Sequence, residues 1–102
     1  MLELRPNCEL CDRDLPPNAE DARICSYECT FCAGCVEDVL LNVCPNCGGG
    51  FQQRPIRPQQ AWRRETGLAH DPPGTERRHT RYTRDQITVF AERLQLVPPA
   101  KR

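Results

Sequence analysis

Nowhere do the 102 residues of this chain contain the run of about 18 consecutive apolar residues that a membrane-spanning helix requires. The opening Met-Leu-Glu-Leu-Arg-Pro-Asn-Cys also lacks a basic stretch, an apolar run and a small-residue cleavage site. No secretory leader is expected, and a soluble, cytoplasmic protein is. Aromatic residues are few, one Trp, two Tyr and three Phe, which excludes a large aromatic core. Histidine is nearly absent: His70 and His79 lie far in sequence from every cysteine and are read as solvated side chains, not as ligands. No Ser/His/Asp set, phosphate-binding glycine loop or glycosidase-like carboxylate pair is recognisable, and on that ground no enzymatic activity is expected.

Cysteine, by contrast, is abundant at one end. All eight lie within the first 47 residues in the order C-x2-C-x13-C-x3-C-x2-C-x2-C-x8-C-x2-C. Cys8/Cys11, Cys32/Cys35 and Cys44/Cys47 form three C-x-x-C knuckles, and Cys25/Cys29 is a fourth, looser pair. A C-x-x-C turn presents two soft ligands at one edge of a tetrahedron with little backbone strain, so eight thiolates suffice for two zinc ions with none left over. A reducing cytoplasm favours metal ligation over disulfides at this density. An iron–sulfur cluster requires a different grouping, and a redox C-x-x-C requires a βαβ context that the chain does not offer. Four sulfurs per ion leave no open coordination position, which argues against zinc-dependent hydrolysis. The pairing itself stays open. A sequential one joins Cys8, Cys11, Cys25 and Cys29, then the later four; an interleaved one joins the first knuckle to Cys32 and Cys35.

The apolar residues of this part, among them Leu15, Ile24, Tyr27, Phe31, Val36, Leu40 and Phe51, make a core that is marginal by itself. A structural zinc site contributes on the order of 10–16 kcal/mol in apparent terms at neutral pH, so the metal-free chain is expected to be unfolded. Ala22 to Tyr27 has the alternation of a short strand, and Glu28 to Phe31 can return as its partner, with cysteines near the turn. From Ala33 to about Leu41, Val36, Val39 and Leu40 recur at helical spacing, placing Cys32 and Cys35 at the first turn. Cys44-Pro45-Asn46-Cys47-Gly48 reads as a tight knuckle closed by a glycine at positive φ.

The run Ile24-Cys25-Ser26-Tyr27-Glu28-Cys29-Thr30-Phe31-Cys32-Ala33-Gly34-Cys35-Val36 resembles the centre of a RING finger, where a Cys, a His and then Phe-Cys-x-x-Cys follow at these spacings. Cys29 stands in the place of the His, and Cys44-Pro45-Asn46-Cys47 resembles the closing knuckle. The likeness covers about Cys8 to Cys47. It implies a small zinc-stabilised α+β cross-brace of a short β-hairpin and one short helix. Site 1 would then hold Cys8, Cys11, Cys32 and Cys35, and site 2 Cys25, Cys29, Cys44 and Cys47. Ubiquitin-ligase activity does not come with it. Where such ligases carry an aliphatic residue after the first cysteine, a hydrophobic residue, often Trp, before the last knuckle and a basic residue beyond it, this chain has Glu9, Leu40-Leu41 and Gly48. From Met1 to about Pro58, the opening residues and the Leu-Pro-Pro and Ala-Arg-Ile-Cys-Ser segments also resemble a small bacterial cysteine-rich family, domain of unknown function 1272. That resemblance implies a bacterial source and no established activity.

Three segments follow: a RING-like two-zinc domain over 1–51, an Arg/Pro/Gln-rich linker over 52–82 expected to be largely flexible, and an amphipathic C-terminal helix over 83–97. Thr83 and Gln86 form a capping pair ahead of Ile87, Phe90, Ala91 and Leu94. A helix this short is marginal alone and needs a surface, on its own module, a second copy or another protein. Trp62, Ile87, Phe90 and Leu94 are the candidate contacts. Charge divides sharply: through Cys47, three Arg face nine acids, a balance of −6, and from Gly48 ten Arg and one Lys face five acids, a balance of +6. The basic tail thus has an acidic partner in its own chain. The expected role is a zinc-binding protein-interaction or adaptor domain. The alternatives are a nucleic-acid-associated protein using the Arg-rich tail and a thiol-redox or zinc-buffering protein. Oligomeric state is not legible.

Overall fold

Ile24 on one side of a cysteine-bounded turn and Thr30 and Phe31 on the other favour a short hairpin. In the computed structural model, which describes all 102 residues, β1 (Ala22–Ile24) pairs antiparallel with β2 (Thr30–Cys32), Ala22 opposite Cys32 and Ile24 opposite Thr30. β3 (Gln52–Gln53) pairs with the other edge of β1, giving the order β2-β1-β3. The strand expected over Ala22–Tyr27 stops at Ile24 because the chain turns at once. The Glu28 amide donates to the Cys25 carbonyl at 3.0 Å, and Glu28 takes a left-handed φ of 64°. Tyr27, counted with the apolar set, therefore stands on the turn and is 72 % exposed.

β2 runs directly into α1 (Ala33–Cys35), which continues as a wider π-helical turn over Val36–Leu40 and ends at Leu41 in the left-handed region. The single helix expected from Ala33 is present with two kinds of winding. Its buried residues Val36 and Leu40 meet Leu15, Ala22, Phe31 and Phe51, and the Phe31 and Phe51 rings pack edge to face with centroids 5.5 Å apart. Cys8, Cys25, Cys29, Cys32 and Cys44 belong to the same cluster. The sulfurs do not flank the core; they form much of it.

Composition predicts a largely flexible linker over 52–82. Apart from β3 the segment is irregular, and it lies along the module as a strap that touches it through arginines. Arg54, only 2 % exposed, donates to the carbonyls of Arg5, Leu15 and Pro16 at 2.8, 3.1 and 2.8 Å. Arg57 reaches the carbonyls of Asp71 and Leu2, the Gly74 amide donates to the Glu3 carbonyl, and Arg77 grips Asp12 and Asp14. Composition measures how little apolar surface a segment can bury, and it is blind to guanidinium groups satisfying carbonyls of another segment.

The strap delivers α2 (Arg84–Leu94) to the module. Its capping box is complete: the Gln86 amide donates to Thr83 Oγ1 at 3.2 Å and the Thr83 amide to Gln86 Oε1 at 2.9 Å. Ile87 and Ala91 face inward, and Ile87 joins the core. A final 3-10 turn, Pro99–Lys101, is pinned by Arg102, which donates to the carbonyls of Val97, Asn42 and Gly48. No helix is long and apolar enough to cross a membrane.

Arg54→Ala should lower the stability of the zinc-loaded chain by about 2–4 kcal/mol, because it orphans buried carbonyls as well as removing their donor. Denaturant unfolding at saturating zinc measures this; a loss below about 0.5 kcal/mol would mean that the clasp is dispensable.

Candidate metal centre

The first and last knuckles repeat one conformation. At the first, the Cys8 amide donates to Arg13 O at 2.8 Å and the Asp12 amide to Cys8 O at 3.0 Å; at the last, the Cys44 amide donates to Gly49 O at 2.8 Å and the Gly48 amide to Cys44 O at 2.7 Å. The residue after the second cysteine has positive φ in both, 65° at Asp12 and 81° at Gly48. Glycine takes this conformation without a Cβ clash, and aspartate tolerates it better than most residues. The expectation for Gly48 holds, and Asp12 is its unrecognised counterpart.

One hairpin supplies sulfur to both groups. Its turn carries Cys25 and Cys29, and the end of β2 carries Cys32, with Cys35 one helical turn beyond. The Sγ atoms of Cys8, Cys11, Cys32 and Cys35 lie within 4.8 Å of one another, as do those of Cys25, Cys44 and Cys47. Cys29, on the same turn as Cys25, lies outside that mutual 4.8 Å set but near enough to perturb the Cys25 and Cys44 thiols, so it is the fourth sulfur available to the second group. This is the interleaved grouping. The sequential alternative needs Cys8 and Cys11 beside Cys25 and Cys29, and the fold keeps those pairs apart.

All eight cysteines are unbonded. Cys11 Sγ and Cys32 Sγ are 3.8 Å apart, far beyond the S–S bond of about 2.05 Å. A tetrahedron with Zn–S bonds of about 2.3 Å has edges of about 3.8 Å, so the spacing fits zinc. The electrostatics point the same way. The Cys25 thiol is pulled down to about 4, first by hydrogen bonds from Cys29 and Cys44 that favour its thiolate, with burial opposing. Cys44 is pushed far up, first by its hydrogen bonds to Cys25 and Cys29 and then by burial. Burial and the neighbouring Cys32 likewise push Cys35 up. Thiolates crowded this closely repel one another, and a cation among the sulfurs would relieve that repulsion. Two zinc ions are compatible with the two groups. Cys11 and Cys47 are exposed at the rims, Cys35 is half-buried and the other five are buried.

Nothing in the spacing marks Glu9, yet it ties both groups together. Its side chain is 6 % exposed; Oε2 accepts the Thr30 amide at 2.8 Å, and Oε1 accepts Asn46 Nδ2 at 3.1 Å. Arg5 approaches at 3.7 Å. Burial raises the Glu9 pKa, with the Cys29 charge adding, while the Thr30 amide and Arg5 oppose the rise. The first knuckle is thereby joined to β2 and to the last knuckle through one carboxylate. Asn7 plays a similar part toward the strap, exchanging hydrogen bonds with the Arg78 backbone.

The candidate partner contacts separate. Trp62 stands 77 % exposed on the strap, whereas Ile87 is buried in the core. Phe90 and Leu94 are half-buried over the closing knuckle, and a Cβ on Gly48 would lie 3.5 Å from Phe90 Cζ and 3.4 Å from Leu94 Cδ1. Of the surfaces open to the C-terminal helix, its own module is the one it occupies here.

A β-hairpin, a short helix and two interleaved sulfur groups define a small cysteine-rich α+β module that fits two zinc ions. The chain belongs to the family described as protein of unknown function (DUF1272), whose model matches residues 1–57 and so takes in all eight cysteines and Arg54. It is also similar to Uncharacterized protein R02474 of Rhizobium meliloti (strain 1021), at 67% identity over 58 residues, 57% of this chain and 69% of that protein. No solved structure matches the chain. Most of the strap and all of α2 lie beyond the matched residues.

Cys32→Ser removes a sulfur at the strand–helix junction and should abolish the dispersed NMR spectrum of the module together with metal binding; a variant that kept both would contradict a structural role for the sulfurs. Glu9→Ala should instead keep its zinc and lose about 1.5–3 kcal/mol in denaturant unfolding at saturating metal. An unchanged unfolding midpoint would remove Glu9 from the site.

Proposed function

We propose that this chain is a non-enzymatic, cytoplasmic protein-interaction module held together by two structural zinc ions. Cys8, Cys11, Cys32 and Cys35 hold one, and Cys25, Cys29, Cys44 and Cys47 the other. The observation that carries the reading is that seven of the eight sulfurs form two close groups and Cys29 stands beside the second, so that two four-sulfur sites would leave no ligand position for a substrate. The position after the first cysteine, aliphatic in RING ligases, is a glutamate turned into the module, which speaks against that activity.

The nucleic-acid reading draws less support. Arg54, Arg57 and Arg102 are spent on backbone carbonyls, and Arg77 and Arg78 on acidic side chains. Thiol-redox or zinc-buffering use is served poorly by sulfurs of which five are buried.

Native mass spectrometry of the protein isolated from its own host under reducing conditions tests the proposal. The expected spectrum has two zincs per chain and a protein companion. Disulfides or iron in place of zinc would overturn the metal assignment, and a nucleic acid lost on raising salt would replace the adaptor reading with the Arg-tail one.

A further inference from the structure

The surface through which the module would meet a partner is already filled by the chain itself. Helix α2 packs against the Val36–Leu40 segment and the closing knuckle, both within the family-matched residues, while α2 is outside them. The fit is incomplete. Ile87 and Ala91 are buried, and a solvent-open cleft of about 310 Å³ runs beside them between the helix and the knuckle, lined by Pro45, Asn46, Tyr82, Gln86 and Phe90 among others. On the opposite side a second gap of about 250 Å³ separates Asp38, Val39 and Leu41 from Arg84, Thr88 and Ala91. An 11-residue helix is marginal on its own, so α2 keeps its place through Ile87 and Ala91, with Phe90 and Leu94 partly buried over the closing knuckle.

We infer that the groove between Val36–Leu40 and Cys44–Gly48 is the partner-binding surface of the module and that α2 is its resident occupant, displaced by an amphipathic helix of another protein. The inference rests on the adaptor reading and names its surface. The incoming helix carries apolar residues at i, i+3, i+4 and i+7 and an arginine at i−3, the pattern of Ile87, Phe90, Ala91, Leu94 and Arg84. Exposed Glu37 and Asp38 give the groove an acidic rim, and Arg84 lines the same gap as Asp38. A basic-flanked helix therefore matches the groove in charge as well as in shape. The residues of the groove come with the cysteine module, so the binding surface belongs to that module and the cover to this chain's extension.

The probe is a fluorescent synthetic peptide of residues 82–97, titrated into the zinc-loaded full chain and into its Val89→Pro variant, which breaks α2 at a 66 % exposed position that lines neither gap. The peptide should bind the variant at least about tenfold more tightly than the wild type, and an Ile87→Ala peptide should lose at least about tenfold. A variant that keeps two zincs and its dispersed spectrum yet binds the peptide no better than wild type overturns the proposal. If the variant loses zinc, hydrogen exchange of the wild type decides. Amides of α2 exchanging at least about tenfold faster than those of β1 and β2 at constant zinc support it, and exchange in step with them overturns it. A wild-type dimer formed by trading α2 between copies also overturns it, since the occupant would then be a second copy. Should the groove fail while a protein still accompanies the native chain, the adaptor reading stands and only its surface is wrong.

Discussion

Crowding of thiolates is the constraint on which the rest of this structure depends. Two groups of sulfurs sit inside a module with a small apolar core, and thiolates gathered this closely repel one another unless positive charge is placed among them. That requirement explains why the core contains Cys8, Cys25, Cys29, Cys32 and Cys44 where a larger domain would have leucines. At Cys8 burial raises the thiol's pKa, and the nearby amides of Cys11, Cys32 and Leu10 offset only part of that rise.

The same electrostatic logic extends outward to the strap. A module rich in carboxylates, carrying further charge on its sulfurs, attracts a segment rich in arginine, and here the two belong to one chain. Arg77 answers Asp12 and Asp14 beside the first knuckle, and Arg78 answers Glu3. Arg54 and Arg57 do different work, since their guanidinium groups satisfy carbonyls where the irregular chain cannot pair with itself. Loop-like sequence thus becomes a fixed covering without gaining secondary structure.

What could be read from the sequence was what is local. Knuckle spacing, the Thr83/Gln86 box, the hairpin about Cys25 and Cys29 and the positive φ at Gly48 each need only a few neighbouring residues, and each is present in the structure. The interleaved sulfur grouping came from resemblance, because spacing alone permits two pairings. The features that escaped are encoded by distance along the chain. Glu9 matters through Thr30 and Asn46, Arg54 through Arg5, Leu15 and Pro16, and neither set of partners leaves a periodic trace. The winding of Val36–Leu40 escaped for a related reason: apolar residues at spacings of three and four describe one buried face and leave the pitch of the turn undetermined.

Because a single hairpin serves both sulfur groups, the module is topologically indivisible. Cys25 and Cys29 lie in sequence between the two halves of the first group, and Cys32 and Cys35 lie between the two halves of the second, so the groups interleave along the chain. Neither half could be inherited, duplicated or trimmed as a separate unit, as tandem fingers can. Within the cysteine-bearing part, added length would disturb least at the exposed turn around Asn18, between the buried Leu15 and β1. An inserted residue between Cys25 and Cys35 would instead shift the reach of one sulfur group relative to the other, making this the segment where the architecture admits least change.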